Sequence, residues 1–195
     1  MTKLNVSVAI KLTIARFLNS SVVLVIANYD ARFWFKDGSL VYDATVLIFF
    51  MAFLNPLLYI IDPWGCYKKR QISKAKALPD EECKVTQREA NQLHEFPIVD
   101  AANNISNYIN LILTCIFYSP IIPLTIPIAL IGSILNYWVY KYMLLRRHKM
   151  PEMFSTMMAT FFANFMPFVL IVWGISFLIF VQKIHEAFWD EYYSK

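Results

Sequence analysis

Apolar and polar stretches alternate along the chain in a pattern of long apolar runs with short polar joints and one long polar loop. The first run spans roughly Val8 to Ala27 and the second roughly Asp43 to Ile61, each close to the ~20 residues a helix needs to cross the hydrocarbon layer. A joint carrying Asp30, Trp34, Lys36, Asp37 and Gly38 connects them, and its aromatic residues suit a membrane interface. Asp62-Pro63-Trp64-Gly65 is expected to break the second helix, after which the chain is polar from Lys68 to Asp100. Inside that loop, Thr86-Gln87-Arg88-Glu89 has the form of a capping box, in which threonine and glutamate satisfy each other's backbone donors. A short amphipathic helix is predicted there.

The next run, Ile105 to Leu145, is long enough for two spans and is interrupted by Tyr118-Ser119-Pro120-Ile121-Ile122-Pro123, with Pro127 following. Proline lacks a backbone donor and clashes with the preceding turn, so Pro120 and Pro123 mark a bend between two helices and form the candidate hinge. Tyr118 and Ser119 are the side chains placed to serve the carbonyls that the prolines leave unpaired. Arg146, Arg147 and Lys149 with Met150-Pro151 close this hairpin. A last span runs from near Phe154 to Val181, with Pro167 and Gly174 as candidate kinks.

The pattern predicts an all-α integral membrane protein of about five transmembrane helices. Residues 1–61 hold two of them and a short non-cytosolic loop, and residues 62–103 a cytosolic loop with the short amphipathic helix. Residues 104–145 form the proline-bent hairpin, and residues 146–195 the last helix and a tail.

Composition strengthens this picture. Hydrophobic residues make up 58% of the 195 and charged residues 16%, with a mean hydropathy of +0.46, more apolar surface than a soluble core can hide. The net charge of +4 does not point to nucleic acid, because the basic residues cluster at the ends of apolar runs. With the amino terminus cytosolic, Lys3, Lys68, Lys69, Arg70, Lys74, Lys76, Lys84, Arg88, Lys141, Arg146, Arg147 and Lys149 lie inside. Only Arg32, Lys36, Lys183 and Lys195 lie outside. The hairpin bend then points away from the cytosol. The first run carries Lys11 and Arg16 and no small-residue cleavage site follows it, so it is expected to remain as a helix. The sequons at Asn5, Asn19 and Asn104 fall inside or within the membrane and predict no glycan. Cys66, Cys83 and Cys115 lack the paired spacing of a zinc site or a disulfide framework and read as reduced thiols, with Cys66 a juxtamembrane acylation candidate.

Candidate chemistry is sparse. Lys11 and Arg16 lie in the first span, where a central charge costs roughly 2.5 to 3.5 kcal/mol, so each either snorkels to the headgroups or faces a wet cavity or a partner. Asn19, Ser20 and Ser21 follow them. At the start of the hairpin, Asn103, Asn107, Asn110 and Thr114 fall at helical spacing on one face. Such a carboxamide stripe serves either a path for partly hydrated ions or hydrogen bonding between helices. Thr156, Thr160 and Asn164 form a weaker stripe that favours helix packing. His94, His148 and His185 lie in polar flanks with no nucleophile and base beside them, and four glycines build no phosphate loop, so an enzyme is not expected. No Asp or Glu occurs from Ala101 to Pro151, which leaves the hairpin without a carboxylate cage for calcium, and no metal or cofactor is predicted.

Three stretches carry a family resemblance: Thr86-Gln87-Arg88-Glu89-Ala90-Asn91 to Phe96-Pro97, the bend Phe117-Tyr118-Ser119-Pro120-Ile121-Ile122-Pro123, and Tyr137-Trp138-Val139-Tyr140-Lys141-Tyr142. Together they resemble the calcium-permeable, hyperosmolality-gated stress channels of the OSCA family, and more distantly the anoctamins. The Lys11 to Asn19 helix and the Trp34 to Asp43 joint are also similar to that family's pore region. The resemblance implies a mechanosensitive, cation-conducting dimer in which each subunit encloses its own pore. Family members have many more membrane helices and a sizeable cytosolic domain, so the likeness covers the pore-side half alone.

The expected function is therefore a pore-region module of a mechanosensitive or osmosensitive cation channel. Lys11, Arg16 and Asn19 would line the helix facing Asn103, Asn107, Asn110 and Thr114. Its expected partners are the lipid bilayer, permeating cations, and a second copy or other membrane subunits. A non-conducting accessory subunit and a lipid scramblase are the other classes that fit.

Overall fold

In the computed structural model, which describes residues 2–30, 33–36, 38–61, 63–76, 91, 100–147 and 157–193, helices and turns dominate and no strand occurs among the described residues. Helix α1 runs from Thr2 to Ala27 through a π-helical segment at Leu18–Val22, and α2 from Leu40 to Ile61 through a second at Phe50–Leu54. The remaining helices are α3 (Pro63–Lys76), α4 (Ala101–Tyr118), α5 (Thr125–Arg146) and α6 (Met157–Tyr193). Val6–Ala27, Leu40–Ile61, Thr125–Arg146 and Thr160–Phe188 are each long and apolar enough to cross a membrane. With the 18-residue α4 between them, the all-α architecture agrees with the expectation of about five spans.

Two boundaries differ from the sequence expectation. Pro63 does not break the chain into a loop; it opens α3, because at the first helical position a proline's missing N–H has no intrahelical acceptor to lose. The capping box at Thr86 lies outside the described residues. Helix α6 does not stop near Val181 but continues to Tyr193 with Pro167 inside it, so the tail is largely helical.

Helix α4 is the central element. Ile109, Leu111, Leu113 and Cys115 are buried on it, against α1, α5 and α6. Its start is fixed by Asp100, whose Oδ1 accepts from the Asn103 N–H at 3.1 Å. On α2 the buried residues are Leu40, Ala44, Ile48, Ala52 and Pro56, every fourth position. In a pure α-helix that line would drift by about 40° per step. The wider π turn at Phe50–Leu54 winds back part of this drift and keeps one face on the core. There Ala52 meets Gly132 of α5 so closely that a Cβ on Gly132 would stand 2.9 Å from the Ala52 Cβ. Large apolar side chains such as Leu130, Trp138, Leu170 and Leu178 cover the outside, as lipid contact requires.

The bundle has two unlike ends. At one, Trp34, Phe117, Tyr118 and Phe180 cluster, with the Trp34 and Phe180 rings 5.7 Å apart, and the Trp34 indole donates to the Asn28 carbonyl at 2.7 Å. The proline bend shares this end with the joint between α1 and α2. At the other end, Arg147 Nη1 donates to the Ile60 carbonyl at 2.8 Å and ties α5 to α2.

Candidate functional site

The polar residues of α4 divide into two sets facing different neighbours. The first faces α1. Arg16 Nη2 donates to Asn103 Oδ1 at 2.6 Å, and Arg16 Nη1 donates to Ser106 Oγ at 2.9 Å and to the Asn103 carbonyl at 3.3 Å. One turn further on, Ser20 lies 3.4 Å from Asn110 Oδ1 and 3.3 Å from Thr114 Oγ1, and Ser21 Oγ donates to Thr114 Oγ1 at 3.1 Å. Tyr118 ends the row by donating to the Ser21 carbonyl at 2.9 Å.

The π segment at Leu18–Val22 explains why two consecutive serines reach the same helix. A wider turn separates neighbouring side chains by a smaller angle, so Ser20 and Ser21 both point to Thr114. Asn110, Thr114 and Ser21 are buried, and every buried side-chain nitrogen and oxygen among the described residues has a hydrogen-bond partner. Among the described residues the guanidinium is held by neutral acceptors, a fork geometry that satisfies several oxygens at once.

The second set faces α2 and α5. Asn104, Ile105, Asn107 and Tyr108 of α4, Asn55, Pro56 and Tyr59 of α2, and Asn136, Tyr137, Val139 and Tyr140 of α5 enclose a cavity of about 300 Å³. Among the described residues no charged side chain lines it. Asn104 Nδ2 donates to the Tyr59 hydroxyl at 3.2 Å, and Asn136 Nδ2 to the Gly132 carbonyl at 2.8 Å. Asn55 and Asn107 are exposed and line the cavity, and their side-chain amides make no hydrogen bond among the described residues. Both lie six residues from a helix end, Ile61 and Ala101, which is about 9 Å along the axis, so the cavity sits beneath the basic end of the bundle.

The expected stripe of Asn103, Asn107, Asn110 and Thr114 is thus split. Asn103, Asn110 and Thr114 join the α1 seam, centred on Ser106, whereas Asn107 lies on its edge and lines the cavity beside Asn104. Of the residues expected on the facing helix, only Arg16 takes part. Lys11 and Asn19 are exposed. Five residues separate Lys11 from Arg16, about 140° around the helix, so the two cannot share a face. Thr160 and Asn164 are also exposed, and Thr156 lies outside the described residues.

Sequence reasoning missed Ser106, Asn55 and Asn136. The last two were visible as isolated carboxamides in apolar runs.

At the bend, Ser119 Oγ donates at 2.8 Å to the Ile116 carbonyl, the acceptor that Pro120 cannot serve. Thr125 Oγ1, fully buried, reaches back to the Cys115 carbonyl at 2.9 Å and to that of Ile122 at 2.8 Å. Pro123 is exposed and Pro120 half-buried.

Fold and site together define a multi-pass α-helical membrane protein with a sealed polar seam and a neutral polar cavity. Comparison with protein-family models, with curated proteins and with solved structures finds no match to this chain.

Proposed function

We propose that the chain is a pore-region module of a mechanosensitive or osmosensitive cation channel, in which the carboxamide-lined cavity is a stretch of the hydrated path. The observation that supports this reading is the convergence of Asn55, Asn104, Asn107 and Asn136 from three helices on one cavity that no charged side chain lines among the described residues. An amide left unpaired in an apolar layer costs roughly 1 to 3 kcal/mol, so the free groups of Asn55 and Asn107 favour water or ions in the cavity. Carboxamide oxygens replace part of a cation's hydration shell, and among the described residues no carboxylate lines the cavity to hold it too tightly. Asn55, Asn107 and Tyr137 are exposed within one chain, so a second copy or another membrane subunit completes the wall. The family resemblance supports the same class.

Reconstitution of the purified chain in liposomes, with tension applied to excised patches, tests the proposal. Stretch-evoked cation current is expected, and current no greater than that of empty lipid overturns the proposal for the chain alone. A second reading, a non-conducting accessory subunit, draws support from the seam, because Asn110 and Thr114 use their hydrogen bonds inside the chain. Under that reading the chain purifies only within a larger assembly.

A further inference from the structure

Helix α3 starts two residues beyond the end of α2 and carries Lys68, Lys69, Arg70, Lys74 and Lys76 among its 14 residues, with no Asp or Glu. Lys68, Arg70 and Lys74 are exposed, and none of the three has an ion-pair or hydrogen-bond partner among the described residues. Its like charges repel one another along the helix, and an adjoining surface of negative charge relieves that repulsion. The geometry also fixes which end of the bundle it belongs to. Because Arg147 is bonded to the Ile60 carbonyl, the basic end of α5 stands beside the chain segment from which α3 departs. Exposed Arg146 and Lys141 lie on that same end of α5, and the Lys141 ammonium is 5.3 Å from the Trp138 ring centroid, an interfacial pairing of cation and aromatic.

We infer that α3, with the basic end of α5, is a docking surface for the anionic lipid headgroups of the adjoining leaflet. Several Lys and Arg immediately beyond a membrane helix meet the negative surface potential of such a leaflet, and the attraction fades within a Debye length, about 8 Å at physiological salt. Exposed Tyr67, which accepts from Gln71 Nε2 at 3.1 Å one turn along, adds an aromatic group suited to the headgroup layer. Anionic lipid is favoured over an acidic protein partner because the surface is continuous with the membrane-spanning helices that carry it. This inference does not depend on ion conduction.

The test uses the full chain, immobilised in neutral detergent and offered fluorescent phosphatidylserine or phosphatidylcholine. Phosphatidylserine should be retained roughly tenfold better at low salt, with the ratio falling toward one at high salt. The triple variant Lys68→Gln, Arg70→Gln, Lys74→Gln should lose most of that preference, while Lys68→Arg with Lys74→Arg should keep it. Glutamine is a good helix former, so circular dichroism should show both variants fully helical. Equal retention of the two lipids, or a preference that survives the triple variant, overturns the inference. Displacement of phosphatidylserine by inorganic phosphate would also overturn it, since that outcome marks a pocket for free anions rather than a lipid surface.

Discussion

Asn107 and Asn110 are one helical turn apart on α4 and chemically identical, yet one faces an open cavity and the other is sealed against α1. On the seam side, Arg16, Ser20 and Ser21 bring donors to meet Asn103, Ser106 and Thr114, so the polar atoms act as a fastening between helices. On the cavity side, Asn55 and Asn107 keep donors and acceptors to spare. An asparagine within a membrane therefore takes its role from what stands opposite. The seam fixes α4, and a fixed α4 lets Asn107 stay turned toward the cavity instead of rotating to bond elsewhere.

The strongest way to break this arrangement lies at Gly132, between the two regions. The helices meet closely there: a Cβ on Gly132 would stand 2.9 Å from the Ala52 Cβ, 3.2 Å from its Cα and 3.3 Å from the Leu111 side chain. Gly132→Leu should force α5 from α2, widen the cavity and destabilise the fold by about 3 kcal/mol, at the upper end for overpacking. Thermal unfolding in detergent measures this, and an unchanged midpoint would show that the two helices are not in rigid contact. Arg16→Ala comes next. It leaves Asn103 Oδ1 and Ser106 without their donor, and a loss of about 2 kcal/mol is expected, as hydrogen bonds to charged groups contribute roughly 1.5 to 3. Arg16→Lys should recover only part of it, because an ammonium cannot span both acceptors as the fork does.

Thr114→Val is a milder test of the same seam. Thr114 accepts from Ser21 and contacts Ser20, so the isosteric valine removes both contacts without opening a cavity. Single interhelical hydrogen bonds in membrane bundles average about 0.6 kcal/mol, and a loss near 1 kcal/mol is expected here for the pair. A double-mutant cycle with Ser21→Ala should show coupling, whereas one with Asn107→Leu should be additive. Coupling between Thr114 and Asn107 would mean that the two faces are not separate.

Much of this fold was legible because lipid imposes a simple code: runs of apolar residues, basic flanks and a proline pair give the number of spans, the bend and the two unlike ends. Pro63 was misread because proline stops a helix from inside but starts one well from its first position. Both π segments went unseen, since no residue type demands one; they arise where α1 and α2 adjust their phase to a neighbour. The candidate site was half legible. The spacing of Asn103, Asn107, Asn110 and Thr114 marked a polar face on α4, but of Lys11, Arg16 and Asn19, expected opposite it on α1, Arg16 alone joins the seam. Which residues face the cavity depends on how three helices meet, and Asn55, Asn104 and Asn136 share no local pattern that reveals it.

The smallest expected effect on stability is at Asn107, and there the comparison becomes sharpest. Asn107 is exposed and its side-chain amide makes no hydrogen bond among the described residues, so Asn107→Leu removes no partner and buries nothing new. The fold should change by no more than about 0.5 kcal/mol, as at an ordinary surface position. The cavity, however, loses one of its four carboxamides and gains an apolar wall, which raises the cost of bringing a hydrated ion past that point. If the cavity is part of a path, stretch-evoked current should fall at least tenfold while the unfolding midpoint stays put. Asn110→Leu should do the reverse, lowering stability by about 1 kcal/mol through Ser20 with little direct effect on the path. Asparagine-to-leucine changes at the two positions thus separate the roles with one chemistry. Equal loss of current in both variants would mean that conduction follows the integrity of α4 as a whole and not the lining of its cavity face.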